Sequence, residues 1–281
     1  VRMLAVGKDN LDLARYLIPA ALVALALRLL PSRVRSRRQV RVTQPFAGQA
    51  LQEFRHSMQT VAIFASNGVL IYLGVRVGLL TIYTDMAQYG WLYGGLSLVL
   101  VIVAHDAWFY WTHRFLHTRQ MFRWAHRVHH RSVAPTPWAA YSFAPGEAVV
   151  QAIFLPLILL ILPLHAMMIS VFLVHMIVRN VLGHAGVDVV PRAWLAGWWG
   201  RWLTTTLHHD MHHAHGRHNY GLYFTWWDKI GRTEHPEYRR RLATFVDGLG
   251  RQHVAAVDQP PPINIGSGGK RIGPLAKTKF R

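Results

Sequence analysis

The chain has 281 residues, of which 52% are hydrophobic and only 16% are charged, a balance that is unusual for a soluble protein. The absence of cysteine excludes disulfides, thiolate metal sites, iron–sulfur clusters and cysteine nucleophiles, so a bound metal would need nitrogen or oxygen ligands. A net charge of +18 is compatible with nucleic-acid binding, but the basic residues flank apolar segments, which favours anionic lipid headgroups as their partners and no nucleic acid.

Five apolar segments follow one another along the chain, most of them close to the ~20 residues that cross a bilayer. They are Tyr16–Leu30, Val61–Tyr83, Trp91–Trp111, Val149–Leu164 and Met167–Leu182. The first runs into a proline and an arginine cluster instead of a small-residue cleavage site, so we interpret it as a retained span and not as a signal peptide. The pattern predicts an all-α integral membrane protein with four to five transmembrane helices.

The densest basic run directly follows the first span. It comprises Arg33, Arg35, Arg37, Arg38 and Arg41. By the positive-inside rule, this loop lies in the cytoplasm. Successive crossings then bring the ends of the third and fifth segments to the same side, where we expect a cytoplasmic histidine-rich helical cap. The membrane would be the plasma membrane in a bacterium and the endoplasmic reticulum in a eukaryote.

Twelve of the 18 histidines lie in two short stretches, His105–His130 and His208–His218. His113 and His117 are four residues apart on a predicted helix, so they share one face. The pattern His-x-x-His-His occurs at 126–130 and again at 209–213. A single histidine is more often a packing or proton-relay residue, but three spaced boxes indicate a metal site.

The boxes do not have the arrangement of a zinc protease, because Arg114 stands where that chemistry needs a glutamate base. They also supply more imidazoles than one tetrahedral zinc takes, so two metal ions fit the count better. Imidazole binds Fe, Zn, Cu and Ni alike, which leaves the metal itself undecided at this point.

These boxes and their surroundings resemble the fatty acid hydroxylase and sterol desaturase superfamily of membrane di-iron oxygenases, over about Leu98–Arg232. The resemblance lies in Asp106-Ala-Trp-Phe-Tyr110-Trp111-Thr-His113-Arg114-Phe-Leu-His117, in His126-Arg-Val-His129-His130, and in His209-Asp-Met-His212-His213 followed by Asn219-Tyr220-Gly221 and Trp227-Asp228-Lys229-Ile-Gly231. In Gly183-His184-Ala-Gly186, His184 is similar to the single histidine that the family places after its second membrane hairpin.

The resemblance implies a set of nine metal ligands. They are His113, His117, His126, His129, His130, His184, His209, His212 and His213. His208 is a candidate tenth ligand, and Asn180 stands where some relatives carry a further histidine. The implied cofactors are two Fe ions, which zinc can replace in isolated protein, with O₂ as co-substrate.

The activity implied by the resemblance is hydroxylation or desaturation of a lipid-like substrate from the bilayer, such as a sterol or fatty acyl chain. Electrons would come from an external carrier, such as ferredoxin or a b-type cytochrome with its reductase, because the chain has no flavin or nicotinamide motif. Two alternatives stay open: a zinc-dependent membrane lipid-processing hydrolase, and a non-enzymatic transition-metal transporter.

Asp106 shares one predicted helix face with Tyr110, His113 and His117. We expect it to lie below the metals and to accept a hydrogen bond from a ligand histidine without touching a metal. We also expect the histidines to border an apolar pocket between Trp91–Trp111 and 149–182.

Three regions are therefore predicted along the chain. Residues 1–97 hold the N-terminal transmembrane helices and the basic cytoplasmic loop. Residues 98–240 form the catalytic domain that resembles the superfamily, including a second membrane hairpin. Residues 255–281, which are rich in Pro and Gly, form a disordered basic tail.

Overall fold

The computed structural model describes residues 8–41 and 43–248, so the predicted basic tail at 255–281 lies outside the described residues. The helices are α1 (Lys8–Leu29), α2 (Ser32–Arg38), α3 (Gln49–Arg76), α4 (Gly90–Leu116), α5 (Arg119–Met121), α6 (Pro145–Ala152), α7 (Phe154–Leu159), α8 (Ala166–Gly183), α9 (Arg192–Ala196), α10 (Trp198–Trp202), α11 (Thr206–His215), α12 (Trp226–Ile230) and α13 (Tyr238–Val246). Strands β1 (Ile82–Tyr83) and β2 (Leu164–His165) pair in parallel. A π-helical turn covers Phe122–His126, and 3₁₀ turns cover Met86–Gln88, His129–Arg131 and Pro137–Tyr141.

Three helices in the described part of the chain, α3, α4 and α8, are long and apolar enough to cross a membrane. The pair formed by α1 and α2 makes a fourth span if it is counted as one, although it is bent by 116°. The bend falls at Pro31, whose extended backbone interrupts the helix before α2 begins. The protein is thus an all-α membrane protein with three or four candidate spans.

The segment predicted as the span Val149–Leu164 does not form one continuous helix of spanning length. Helices α6 and α7 together cover only Pro145–Leu159, and Leu164 lies in β2. Pro156 has no amide hydrogen with which to continue the helix back to Ala152. The Ala152 carbonyl instead accepts a hydrogen bond from Asn67 Nδ2 of α3 at 3.1 Å.

The spans pack around two apolar clusters. One joins α1, α3 and α8 around Tyr16 and Ile177, and the other joins α3, α4, α7 and α8 around Val101 and Phe172. A third cluster, which includes Met211, connects α9, α11 and α13. Because α4 and α8 end beside α11, the three histidine-bearing helices meet at one end of the spans.

Candidate metal centre

All nine histidines named from the sequence lie together at this end of the helices. They come from the last turn and cap of α4, the π-helical and 3₁₀ turns that follow α5, the C-cap of α8, and α11. The structure divides them into two groups, and within each group one nitrogen from every ring lies within 4.8 Å of the others. The five-histidine group is His113, His117, His126, His130 and His212, and the four-histidine group is His129, His184, His209 and His213.

Each His-x-x-His-His box contributes to both groups, because residues four apart on a helical turn share a face whereas adjacent residues diverge. In the second box, His126 and His130 enter the five-histidine group. In α11, His209 and His213 enter the four-histidine group, and the intervening His212 turns towards the other group.

The Nε2 atoms of the rings face one another at short separations. In the four-histidine group, His184 Nε2 lies 3.0 Å from that of His209, 3.3 Å from that of His213 and 3.4 Å from that of His129. In the five-histidine group, the Nε2 atoms of His113 and His126 are 3.1 Å apart. The Nε2 atom of His212 lies 3.1 Å from that of His117 and 3.1 Å from that of His130.

Four of these rings have a backbone carbonyl beside the other nitrogen, Nδ1. The pairs are His113 with Tyr220 O at 2.9 Å, His184 with Asn180 O at 2.7 Å, His212 with His218 O at 2.7 Å and His213 with Ser132 O at 2.9 Å. A carbonyl oxygen only accepts hydrogen bonds, so each Nδ1 must carry the hydrogen. The Nε2 atom of each neutral ring is then left with a lone pair.

The donor set fits metal ions better than it fits hydrogen bonds between the rings. His184 and His213, for example, point two lone pairs at each other across 3.3 Å, with no hydrogen between them. Metal–nitrogen bonds of about 2.1 Å at angles of 90–110° would put neighbouring nitrogens roughly 3.0–3.4 Å apart. The observed separations lie in this interval.

The surroundings keep the rings neutral, as metal binding requires. Burial, reinforced by the neighbouring imidazoles, lowers the pKa of seven rings well below the usual value; they are His117, His126, His129, His130, His209, His212 and His213. Burial also lowers the pKa of His184 to about 4.

One carboxylate contacts the site, and sequence analysis missed it. His126 Nδ1 lies 2.8 Å from Glu147 Oε2, both side chains are buried, and neither atom has another partner. Glu147 lies in the first turn of the apolar helix α6, where no helical spacing connects it to a histidine box. One sequence signal was present, since Glu147 is the one acidic residue between Asp106 and Asp188.

Asp106 does not have the partner that we expected. Its Oδ1 accepts hydrogen bonds from the backbone amides of Tyr223 at 2.8 Å and Phe224 at 3.2 Å, and from no ligand histidine. The nearest ligand on its own helix, His113, has the Tyr220 carbonyl beside its Nδ1, and Asp106 lies two turns below that ring. Asp106 therefore anchors the loop that follows α11 to α4.

Asp228 organises the same loop. Its Oδ1 accepts from the amide of Tyr220 at 2.9 Å and from the hydroxyl of Thr233 at 2.7 Å, while its Oδ2 accepts from the amide of Gly221 at 2.9 Å. Because the carbonyl of Tyr220 faces His113 Nδ1, Asp228 positions that ring through the backbone.

The two additional candidates from the sequence lie outside both groups. His208 is fully buried, with its Nε2 3.3 Å from Asp228 Oδ2. The Asn180 side chain donates to Ala140 O at 2.8 Å, and it is the backbone carbonyl of Asn180 that contacts His184.

Arg41, the last arginine of the predicted basic run, lies beside the site with its side chain largely withdrawn from solvent. Its guanidinium contacts Asp210 Oδ1 at 2.6 Å and donates to Pro135 O at 2.6 Å. Gly186, with φ of +67°, makes room for it, since an added Cβ would lie 2.3 Å from Arg41 Nη2. This ion pair fixes the N-terminal segment to α11 next to His209.

A cavity of about 570 Å³ lies between the spans and ends beside the histidines. Its walls come from α4 and from 149–182, as expected, and also from α3, which we had not predicted. At the histidine end, the ring centroid of Phe109 is 4.9 Å from that of His113, and the ring centroid of Phe143 is 5.3 Å from that of His129. The opposite end is more polar and includes Arg76.

Fold and site together define a membrane protein whose histidine-rich centre adjoins an apolar cavity, and comparison with known proteins gives its class. Residues 98–233 match the family described as Fatty acid hydroxylase. This matched region contains all nine grouped histidines, and it is similar to the fatty acid hydroxylase/sterol desaturase superfamily.

Several relatives are sterol-modifying enzymes by name. The chain is 31% identical over 180 residues to a Delta(7)-sterol 5(6)-desaturase of Gibberella zeae, and the aligned region covers 64% of this chain and 54% of the relative. It is 28% identical over 191 residues to lathosterol oxidase of Rattus norvegicus (67% and 62%) and 31% identical over 187 residues to that of Homo sapiens (65% and 60%). The matches thus span less than two thirds of these relatives' length, and no solved structure matches the chain.

Proposed function

We propose that this protein is a membrane-bound oxidase that desaturates a sterol, using O₂ and two iron ions held by the two histidine groups. The observation that carries the proposal is the set of buried Nε2 lone pairs facing one another beside an apolar cavity. Sterol as the substrate is supported by the names of the relatives. The cavity volume also lies within the ~300–1,000 Å³ of typical small-molecule sites.

The residues of the chain divide the work between binding and positioning. The nine Nε2 atoms would bind the ions, and the carbonyls that hold four of the Nδ1 hydrogens fix the ring orientations. Bound iron would supply the O₂ chemistry that inert C–H bonds require. The aromatic rings of Phe109 and Phe143 give the histidine end of the cavity an apolar lining next to the ligands.

Electrons would come from a separate acidic carrier, such as ferredoxin or a b-type cytochrome with its reductase. Exposed arginines at the histidine end of the molecule support this part of the proposal. They are Arg33, Arg35 and Arg37 of α2 together with Arg114, Arg119, Arg123, Arg127 and Arg131 around the first two boxes. The same arginines favour a cytoplasmic location for that end. A carrier of opposite charge would be steered towards this surface.

The test is lipid mass spectrometry on membranes that contain the protein, a Delta(7)-sterol and a reducing system. We expect a product that has lost two hydrogen atoms, whereas a product that has gained one oxygen would indicate hydroxylation. His209→Ala should abolish the product, and His215→Ala, an exposed position on the same helix outside both groups, should not. Neither product in the wild type would contradict the proposal, and a hydrolysed lipid would favour a zinc hydrolase.

A further inference from the structure

Gln151 of α6 is a polar residue in the wall of the cavity. Both of its side-chain amide atoms, Oε1 and Nε2, are buried, and neither has a hydrogen-bond partner. The wall around it is largely apolar and includes Ile71 and Phe154. Buried polar groups in folded proteins almost always have partners, so an unpaired amide beside a cavity points to a ligand.

Asn67 of α3 lies in the same part of the wall. Its Nδ2 donates to the carbonyl of Ala152, the residue that follows Gln151, so the two amides occupy one small region. Together they interrupt an otherwise hydrophobic surface with groups that donate and accept hydrogen bonds.

This polar region is close to the histidine end of the cavity. Gln151 follows Glu147 by one turn of α6, which is about 6 Å of rise. Glu147 is in turn 2.8 Å from His126 of the five-histidine group. A polar group bound at Gln151 would therefore hold neighbouring ligand atoms near the histidines.

The charges around the cavity favour a neutral polar group at this position. Arg15 also lines the cavity, but it pairs with Asp12. Arg76 lies at the opposite end, where it donates to the hydroxyl of Tyr72 at 3.1 Å. A ligand carboxylate would pair with Arg76 at the opposite end of the cavity. The Gln151 amide suits a ligand hydroxyl, because both groups donate and accept hydrogen bonds.

We infer that Gln151, assisted by Asn67, binds the hydroxyl group of the sterol and so orients the ring system towards the histidines. The inference rests on the proposed function for the identity of the ligand. In a 3-hydroxysterol, the carbon at position 5 is two bonds from the carbon that bears the hydroxyl. Binding the hydroxyl near the histidine end thus brings that part of the ring system close to the metals, in accord with the position named for the fungal relative.

The experiment measures binding and needs neither O₂ nor turnover. Purified full-length protein in detergent is titrated with a labelled Delta(7)-sterol that carries a 3-hydroxyl, and separately with its analogue that has hydrogen at that position. The wild type should bind the hydroxylated form about tenfold or more tightly, because the analogue leaves the amide unpaired. Gln151→Leu should bind both forms equally. Gln88→Leu is the matched control, since Gln88 lines the opposite end of the same cavity.

Retention of the hydroxyl preference by Gln151→Leu, or its loss in Gln88→Leu, would overturn the inference. Wild-type affinity of Gln151→Leu for the analogue would show that the cavity is intact. If that variant binds neither sterol, Gln151→Met replaces it, and a preference for the hydroxyl in Gln151→Met would equally overturn the inference. A binding preference without any desaturated product would contradict the proposed function and leave the role of Gln151 standing.

Discussion

Replacing Glu147 with glutamine removes the negative charge beside His126 and changes the side chain's shape little. The carboxyl group lies 2.8 Å from His126 Nδ1, with both groups buried. Burial raises the pKa of Glu147, but a metal cation bound to His126 would favour the carboxylate, so in the loaded centre the contact is charge-assisted and shielded from water. Loss of such an outer partner of a metal ligand costs about 10–100-fold in metal affinity, or ~1.4–2.7 kcal/mol. We therefore expect Glu147→Gln to weaken the binding of the ion held by the five-histidine group and to leave the binding of the second ion unchanged.

The assay is iron content per chain after dialysis against increasing chelator, followed for the wild type and for Glu147→Gln. One ion should leave the variant at roughly 10–100-fold lower chelator activity than it leaves the wild type. Glu237→Gln is the control, because Glu237 pairs with Arg240 at the surface, far less buried than Glu147. Identical release curves for the wild type and Glu147→Gln would refute the reasoning.

Three further predictions concern the loop anchors and the basic surface. Asp106→Asn should be more stable than Asp106→Leu, because the asparagine oxygen can still accept from the amides of Tyr223 and Phe224. Asp106→Leu should lose about 1–3 kcal/mol by leaving both amides unpaired, and equal melting temperatures for the two variants would contradict this. Asp228→Asn should destabilise the protein by about 1–3 kcal/mol in the same assay, because both carboxylate oxygens of Asp228 accept hydrogen bonds from backbone amides, those of Tyr220 and Gly221. An Asp228→Asn variant as stable as Asp106→Asn would contradict the role given to Asp228. Reduction by an acidic carrier, measured by stopped flow, should slow steeply as salt rises, and a salt-independent rate would remove the basic surface from the account.

The histidine positions were accessible from the sequence because ligand geometry repeats with the helical period. A spacing of four residues puts His113 and His117, or His209 and His213, on one face wherever the helix lies in the fold. The sequence could not assign each ring to a group, since that depends on how α4, α8 and α11 converge.

Partners that are distant in sequence escaped the same reasoning. Asp106 contacts an amide 117 positions away, and Glu147 reaches His126 from a different helix, so no local pattern encodes either contact. The break within the segment 149–164 has a local cause, because Pro156 interrupts the helix in a sequence whose hydrophobicity alone predicted one continuous span.

The number of iron ions bound by two neighbouring variants of α11 tests the central claim most directly. His212 belongs to the five-histidine group and His213 to the four-histidine group. After anaerobic loading and a chelator wash, the wild type and the His215→Ala control should each retain two ions per chain. His212→Ala and His213→Ala should each retain one. Fewer than two ions in the wild type, or two in both variants, would contradict a centre built from two separate histidine groups.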